Sequence, residues 1–412
     1  MDSDSVRGVD RRRLLGWGGL AAAGMAAGPL AGAELAHAVP ADRIPPDARP
    51  GGAYDRYVAE LAAQDRFSGV VLLSYRGRTV LSRSYGMADR ERGIRNHEGV
   101  AFNLSSASGP FLPVAVLQLV QQGEVRLSDT VGTHLDGLAN DIAERVNIHH
   151  LLTGTSGIDA PMPDVHRVFH SREEVHEYRK QWTRLATLAG VPGASFTGHA
   201  AGGAAAGAIT AQIVEAVTGT TTYWDYMREH VFGRAGMRGS AYYTRTQWLT
   251  DDHIAHPYMR QPDGSRIDAV RNLDKDSLSQ QGPGENPGRG FIGNVFATAP
   301  DLVRFAHALS DGTLLDRPYA DLYTGAKLPG PADAARPSFR AYSGPLHLIN
   351  GQWVFGRGGG SGGVTASWNI YPDTGWVGVV LSNYDDLQEF GEILAQEQRA
   401  ITGQPVDPPG GD

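Results

Sequence analysis

The sequence predicts an α+β fold: one antiparallel sheet built from both chain ends, with a mostly helical region inserted between them. Three observations carry this expectation. "SGVVLLSYRGRTVLSRSYG", from Ser68 to Gly86, places two Val/Leu-rich runs on either side of Arg76-Gly77, the pattern of a β-hairpin. "GVTASWNIYP", from Gly363, alternates Val364, Ala366, Trp368 and Ile370, the period of a strand with one buried face. Between these ends, "PFLPVAVLQLVQQGEV", "AAGAITAQIVEAVTG" and "TTYWDYMREHVF" have the period of helices, and strands at both ends around a helical middle imply α+β layering.

In chain order, residues 1–38 read as an export signal. "RRRLLGWGGLAAAGMAAGPLAG" has a charged start, an apolar middle and no acidic residue, and Ala36-His37-Ala38 supplies a small-residue cleavage site before Val39. Arg11-Arg12 followed by Leu14-Leu15 fits the twin-arginine type, so an extracellular or cell-wall-associated protein is expected. The apolar run is short, Gly/Ala-rich and interrupted by Pro29, so it is not read as a membrane anchor, and no membrane contact is expected after cleavage. Residues 39–52 are Pro-rich and read as a linker, 53–403 as the folded domain and 404–412 as a disordered tail.

A helix is expected from Ala53, with Tyr57, Leu61 and Ala62 on its apolar side, and then the hairpin. Gly123 and Gly219 stand where helix C-caps belong. Arg260 to Gly290 is long, polar and rich in Gly and Pro, a surface excursion or a lid. Asp373 to Gly375 turns one strand into "WVGVVLSN", and a terminal helix follows from about Asp386 to Ile401. The tryptophans at 224, 353, 368 and 376 are read as core.

Composition excludes some chemistries. The chain has no cysteine, so disulfides and thiol catalysis are absent. Its formal charge is −8 with no long basic run outside the signal, which argues against nucleic acid as a partner. A small molecule is the expected partner, no cofactor or metal is called for, and nothing in the sequence sets an oligomeric state. His166 and His170 with Glu173 or Glu174 have a spacing that a metal would accept, but a solvated helix face is the simpler reading.

Several segments, in order, carry a family resemblance: "FSGVVLLSYRGRTVLSRSYGMADRERGI", "FNLSSASGPFLPVAVLQLVQQGEVRLSDTV", "VNIHHLLTGTSGI", "YWDYMREHVFGRAGM" and "GGGSGGVTASWNIYPDTGWVGVVLSN". Together, from about Tyr54 to Ile401, the chain resembles the serine β-lactamase-related superfamily of class C β-lactamases, DD-peptidases and related esterases. The resemblance implies three motifs: a helix-opening serine with a lysine one turn on, a Y-x-N loop, and a strand carrying K-T-G or H-x-G. That chemistry needs a base within reach of the serine, because a neutral hydroxyl is a weak nucleophile.

Each motif is located here and each departs from the pattern. Ser106 matches the nucleophile, but the lysine position holds Gly109. In "PGASFTGHAAGG" the tyrosine position holds Gly198 and the asparagine position Ala200; in "FGRGGGSGG" the Lys or His position holds Arg357. Glycine cannot accept a proton, and arginine stays charged near neutrality. The resemblance also implies an oxyanion hole from the backbone N–H groups of Ser106 and Gly360, which side-chain changes do not remove.

The candidate site is therefore Ser106 and His199 as catalytic residues, with Arg357, Gly360 and Ser108 binding substrate. Serine is also a favoured helix N-cap, so Ser105, Ser106 and Ser108 have a capping alternative. His199 is the titratable side chain within the altered middle motif, and a surface position is its alternative. His150 is read as structural. Three functions remain open: a pocket that binds, or rearranges without hydrolysis, a small acyl, amide or carboxylate compound; a weak serine esterase or amidase; and a non-catalytic binder of a peptidoglycan-like ligand.

Overall fold

The structure, a computed structural model, describes residues 44–163, 167, 169, 171–194, 200–220, 222–272, 295–330 and 337–405. The two chain ends meet where Gly69–Tyr75 pairs antiparallel with Trp376–Ser382, Gly69 opposite Ser382 and Tyr75 opposite Trp376. That pairing completes an eight-stranded antiparallel sheet whose spatial order is Leu328–Pro329, Ser338–Ala341, Gly344–Ile349, Gln352–Ser361, Val364–Tyr371, Trp376–Ser382, Gly69–Tyr75 and Arg78–Tyr85. The first hairpin turns at Arg76-Gly77, as its sequence predicts. Both residues have positive φ (49° and 76°), matching a two-residue turn to the twist of the strands.

The alternation of Val364–Tyr371 is real, yet both its faces are buried. Ala366, Trp368 and Ile370 join the large core under the inserted helices, while Tyr371 joins a second core on the opposite face. The same split divides Val70 and Leu72 from Val71 and Leu73. The inserted side is covered by helices that include Phe111–Gln122, Ala200–Thr218 and Ala299–Ser310, with Gly123 ending the first in the left-handed conformation. The other side is covered by the terminal helices Ala53–Ala63 and Leu387–Thr402.

Two expectations are corrected here. The Pro-rich stretch given to a linker belongs to the fold from Ile44 on: Pro46–Ala48 forms a short 3-10 turn, and Ala48 is fully buried against the second core. In the helix that follows, the buried stripe is Tyr54, Val58 and Leu61 rather than Tyr57, Leu61 and Ala62. The long excursion opens with a small hairpin, Tyr258–Arg260 against Arg266–Asp268; residues 273–294, the signal region and 406–412 lie outside the described residues. Among the described residues, no helix is long and apolar enough to cross a membrane.

The second core encloses a carboxyl group. Glu397 is fully buried; its Oε1 accepts from Asn369 Nδ2 at 3.0 Å, and its Oε2 has no hydrogen-bond partner among the described residues. Burial pushes its pKa up from 4.5 to about 7, with the Asn369 bond pulling the other way. Ionisation therefore opposes folding. The contribution of Glu397 to stability is most favourable below the unfolded value of 4.5 and is lost as pH rises through about 7. Glu397→Gln keeps the shape without the charge, and should raise stability above pH 7 by on the order of 2–3 kcal/mol while changing little at pH 4. Denaturant unfolding at both pH values checks this; equal wild-type and variant stabilities at pH 8 would contradict it.

Candidate functional site

The segment before the Phe111–Gln122 helix is a 3-10 turn, Ser105–Ser108, and backbone strain sets which serine it presents. Ser105 has φ +46°, a left-handed conformation uncommon for a residue with a side chain, worth on the order of 1–3 kcal/mol. Two bonds hold it there: its N–H donates to Asn103 Oδ1 (2.8 Å) and its hydroxyl to the Gly360 carbonyl (2.9 Å). Ser105 is buried and Ser106 is exposed. None of these serines caps a helix. The residue before the 3-10 turn is Leu104, the residue before the helix is Pro110, and neither end has a side-chain cap, so the capping alternative is not what the fold uses.

The turn is clamped from several sides. Ser108 Oγ accepts from Val295 N–H (3.0 Å), while Leu104 N–H donates to Val295 O (2.9 Å). Trp368 donates its indole N–H to Ala107 O (3.0 Å) and stacks on Phe111, 5.5 Å between centroids and 17° from parallel. Tyr323 donates its hydroxyl proton to Pro110 O (2.8 Å). Against these fixed atoms lies the Gln352–Ser361 strand, backbone to backbone: a Cβ on Gly359 would stand 2.4 Å from both Ala107 N and Leu104 O, and 2.8 Å from Ser106 N. Gly359→Ala should therefore destabilise the protein by about 1–3 kcal/mol. Gly358→Ala, whose Cβ would meet only Ala366 O at 3.9 Å, should be tolerated far better. Equal unfolding midpoints for the two variants would show that the strand does not press on the turn.

Arg357 crosses from this strand to the serine. Its Nε donates to the Ser106 carbonyl at 2.8 Å. A Cβ on Gly109 would lie 3.1 Å from Arg357 Cδ, 3.3 Å from Arg357 Nε and 3.3 Å from Ser106 O. The arginine thus occupies the space into which a side chain at 109 would grow. Four of the sequence-derived residues come together in this way: Ser106, Ser108, Arg357 and, through Ser105, Gly360.

His199, with Gly198, lies outside the described residues, as do His166 and His170. Glu173 and Glu174 open the Arg172–Thr183 helix, with Ser171 Oγ accepting from Glu174 N–H (3.1 Å). Among the described residues, no group of three His, Asp or Glu is arranged to hold a metal. His150 has the structural place expected of it, forming a capping box with Asn147 at the start of Ile148–Thr153. Trp224, Trp368 and Trp376 are buried and Trp353 is partly buried.

Sequence reasoning missed a set of side chains beside the strand. His149 Nδ1 lies 2.6 Å from the Tyr342 hydroxyl, and Lys327 Nζ lies 4.8 Å from the centre of the Tyr342 ring. Burial, and then the charge of Lys327, lowers the His149 pKa; burial pushes Tyr342 up to about 12. Both are neutral near pH 7. No motif links positions so far apart, and only the His149-His150 doublet gave a local signal.

The Beta-lactamase family profile matches residues 54–402. The chain belongs to the β-lactamase family. Within this family it is similar to PbpX of Bacillus subtilis (strain 168), a relative named for penicillin binding (25% identical over 259 residues, 63% of this chain and 59% of the relative). It is similar to Esterase EstB of Burkholderia gladioli, 39% identical over 93 residues, 22% of this chain and 24% of that one. Penicillin-binding protein 4* of Bacillus subtilis (strain 168) matches more fully, 25% identical over 379 residues, 85% of this chain and 75% of the relative. The matches thus span less than two thirds of the first two relatives. Among solved structures, a penicillin binding protein from Bacillus halodurans superposes with a TM-score of 0.64 at 24% identity, over 82% of this chain and 98% of that one. The D-amino acid amidase from Ochrobactrum anthropi SV3 superposes with a TM-score of 0.63 at 19% identity, over 85% and 96%. These superpositions establish the β-lactamase-family fold.

Proposed function

We propose that this β-lactamase-family pocket binds a small carboxylate, acyl or amide compound without forming an acyl-enzyme, and that any chemistry it performs is non-hydrolytic rearrangement. The observation that carries this reading is the Arg357–Ser106 contact across Gly109. A permanent cation stands beside the serine, in the space a lysine base would need. Backbone donors at Ser106 and Gly360, aimed at a carbonyl or carboxylate oxygen, would add about 3–4 kcal/mol of stabilisation without a proton shuttle. Positioning and polarisation alone can accelerate cyclisation or isomerisation. Export by the twin-arginine route, with a small molecule as partner, belongs to the same reading.

The second reading, a weak esterase or amidase, is favoured by one observation: Ser106 is exposed on a turn held in a left-handed strain at Ser105. Intact-mass measurement after incubation with penicillin or a fluorophosphonate separates the two. No adduct is expected, and turnover of a chromogenic cephalosporin should stay at background. A mass increase mapped to Ser106 would replace the first reading with the second.

A further inference from the structure

The helix Leu387–Thr402 closes the second core, yet its buried face is not wholly apolar. Phe390, Ile393, Leu394 and Ile401 belong to that core, and Glu397 stands among them, fully buried. The sheet is shaped to receive its carboxyl. Asn369 and Gly378 are paired directly across the strands Val364–Tyr371 and Trp376–Ser382, and the carboxyl sits on this one rung. Asn369 Nδ2 donates to Glu397 Oε1 at 3.0 Å. A Cβ on Gly378 would stand 2.2 Å from Oε1 and 2.3 Å from Cδ, so only glycine leaves the space. Glycine inside a strand weakens it and marks the close approach of another group.

The surroundings of the carboxyl are neutral. Tyr54, from the Ala53–Ala63 helix, is buried; burial, and then the charges of Glu397 and Tyr371, hold its phenol well above its ordinary pKa. Tyr371 is buried too, and the Trp376–Ser382 strand carries no ionisable side chain. On the covering elements Asp47, Arg56 and Glu60 are exposed, and Asp55 is bonded to Arg83. On the helix itself Glu389 pairs with Arg66, while Glu392 and Arg399 are exposed. A charge on Glu397 would thus lie among phenols, one amide and apolar side chains, a costly place for a carboxylate. The docked carboxyl keeps its proton up to about pH 7, against 4.5 in water. Lifting the helix returns the carboxyl to water, so lifting releases a proton and is favoured as pH rises from 4.5 to about 7. Above that the docked carboxyl is ionised as well, and the effect levels off.

We propose that Glu397 makes the Leu387–Thr402 helix a proton-keyed latch: the protonated carboxyl lets the helix close on the Asn369–Gly378 rung, and loss of the proton loosens the helix as a unit while the larger core stays folded. The helix follows the last strand of the sheet, and the sheet stands between it and the core that carries the serine turn. Its other polar ties are at its two ends, Arg66 to Glu389 and Asn350 to Thr402. The apolar side chains keep the latch shut in most molecules at every pH, so what changes is the frequency of a rare local opening. The latch is independent of what the pocket binds.

Native-state hydrogen exchange on the full chain from pH 4.5 to 8, each rate divided by the intrinsic rate at that pH, tests this. Opening of the Leu387–Thr402 amides should increase on the order of a hundredfold from pH 4.5 to 7 and then level off. Amides of Phe111–Gln122, in the larger core, should not follow. Glu397→Gln should make the opening of the terminal helix independent of pH. Corrected exchange of that helix that is equal at pH 4.5 and 7 in the wild type overturns the proposal, and this arm needs no substitution. Parallel acceleration of both helices would show that the proton governs only unfolding of the whole chain, and the latch would fall. A pH dependence that persists in Glu397→Gln would belong to another group and overturn it equally.

Discussion

A fourfold variant, Gly109→Lys, Arg357→Lys, Gly198→Tyr and Ala200→Asn, is expected to hydrolyse activated esters about 10²–10⁴-fold faster than the unaltered chain, the usual contribution of a general base. Gly109→Lys alone should give no activity. Its Cβ would already stand 3.1 Å from Arg357 Cδ, so the new side chain and the arginine compete for one space. Arg357 is also bonded to the Ser106 carbonyl, which anchors it there. The two departures are thus one coupled change, and reversal has to treat them together. The receiving framework is already in place. Ser106 is exposed, Ser105 is held left-handed by Asn103 and Gly360, and Gly359 brings its strand against the Ser106 amide. Rates with p-nitrophenyl esters, alongside melting curves, check the expectation. Full activity from Gly109→Lys alone would show that Arg357 yields freely. A well-folded fourfold variant at background would show that the pocket differs in more than its proton carriers.

What the sequence disclosed and what it withheld divide along a physical line. Turns and periodicity are local, so the hairpin at Arg76-Gly77, the strand Val364–Tyr371 and the cap at Gly123 could be read directly. The family motifs located the serine turn and the glycine-rich strand. Burial is not local. Val364–Tyr371 alternates as if one face met solvent, yet the terminal helices cover the other, because the chain ends return to the same side of the sheet. The stretch before Ala53 has a linker's composition, and only its tertiary contacts bury Ala48. Serines at a helix start look like caps until the strain at Ser105 is seen to turn one of them inward and the next outward. The Arg357–Ser106 bond joins residues 251 positions apart, and no spacing rule reaches across that gap.

Arg357→Ala is expected to weaken carboxylate binding by more than tenfold. A hydrogen bond to a charged group is worth about 1.5–3 kcal/mol, and each 1.4 kcal/mol is a factor of ten. On the proposed reading Arg357 has two separable roles. Its Nε holds the Ser106 carbonyl at 2.8 Å, and its terminal nitrogens would address the ligand. Loss of the first would loosen the serine turn, but Trp368 on Ala107 O, Tyr323 on Pro110 O and Ser108 on Val295 remain to hold it. The melting temperature should therefore fall by only a few degrees while affinity falls much further. Arg357→Lys distinguishes charge from geometry: an ammonium supplies the charge but not the planar two-pronged contact, so it should recover only part of the affinity. Hexanoate calorimetry on wild type and both variants, with melting curves on the same samples, reads these effects separately. If hexanoate binds Arg357→Ala as tightly as wild type, and only the melting temperature has moved, then the arginine is a brace for the serine turn, and the carboxylate reading of the pocket falls with it.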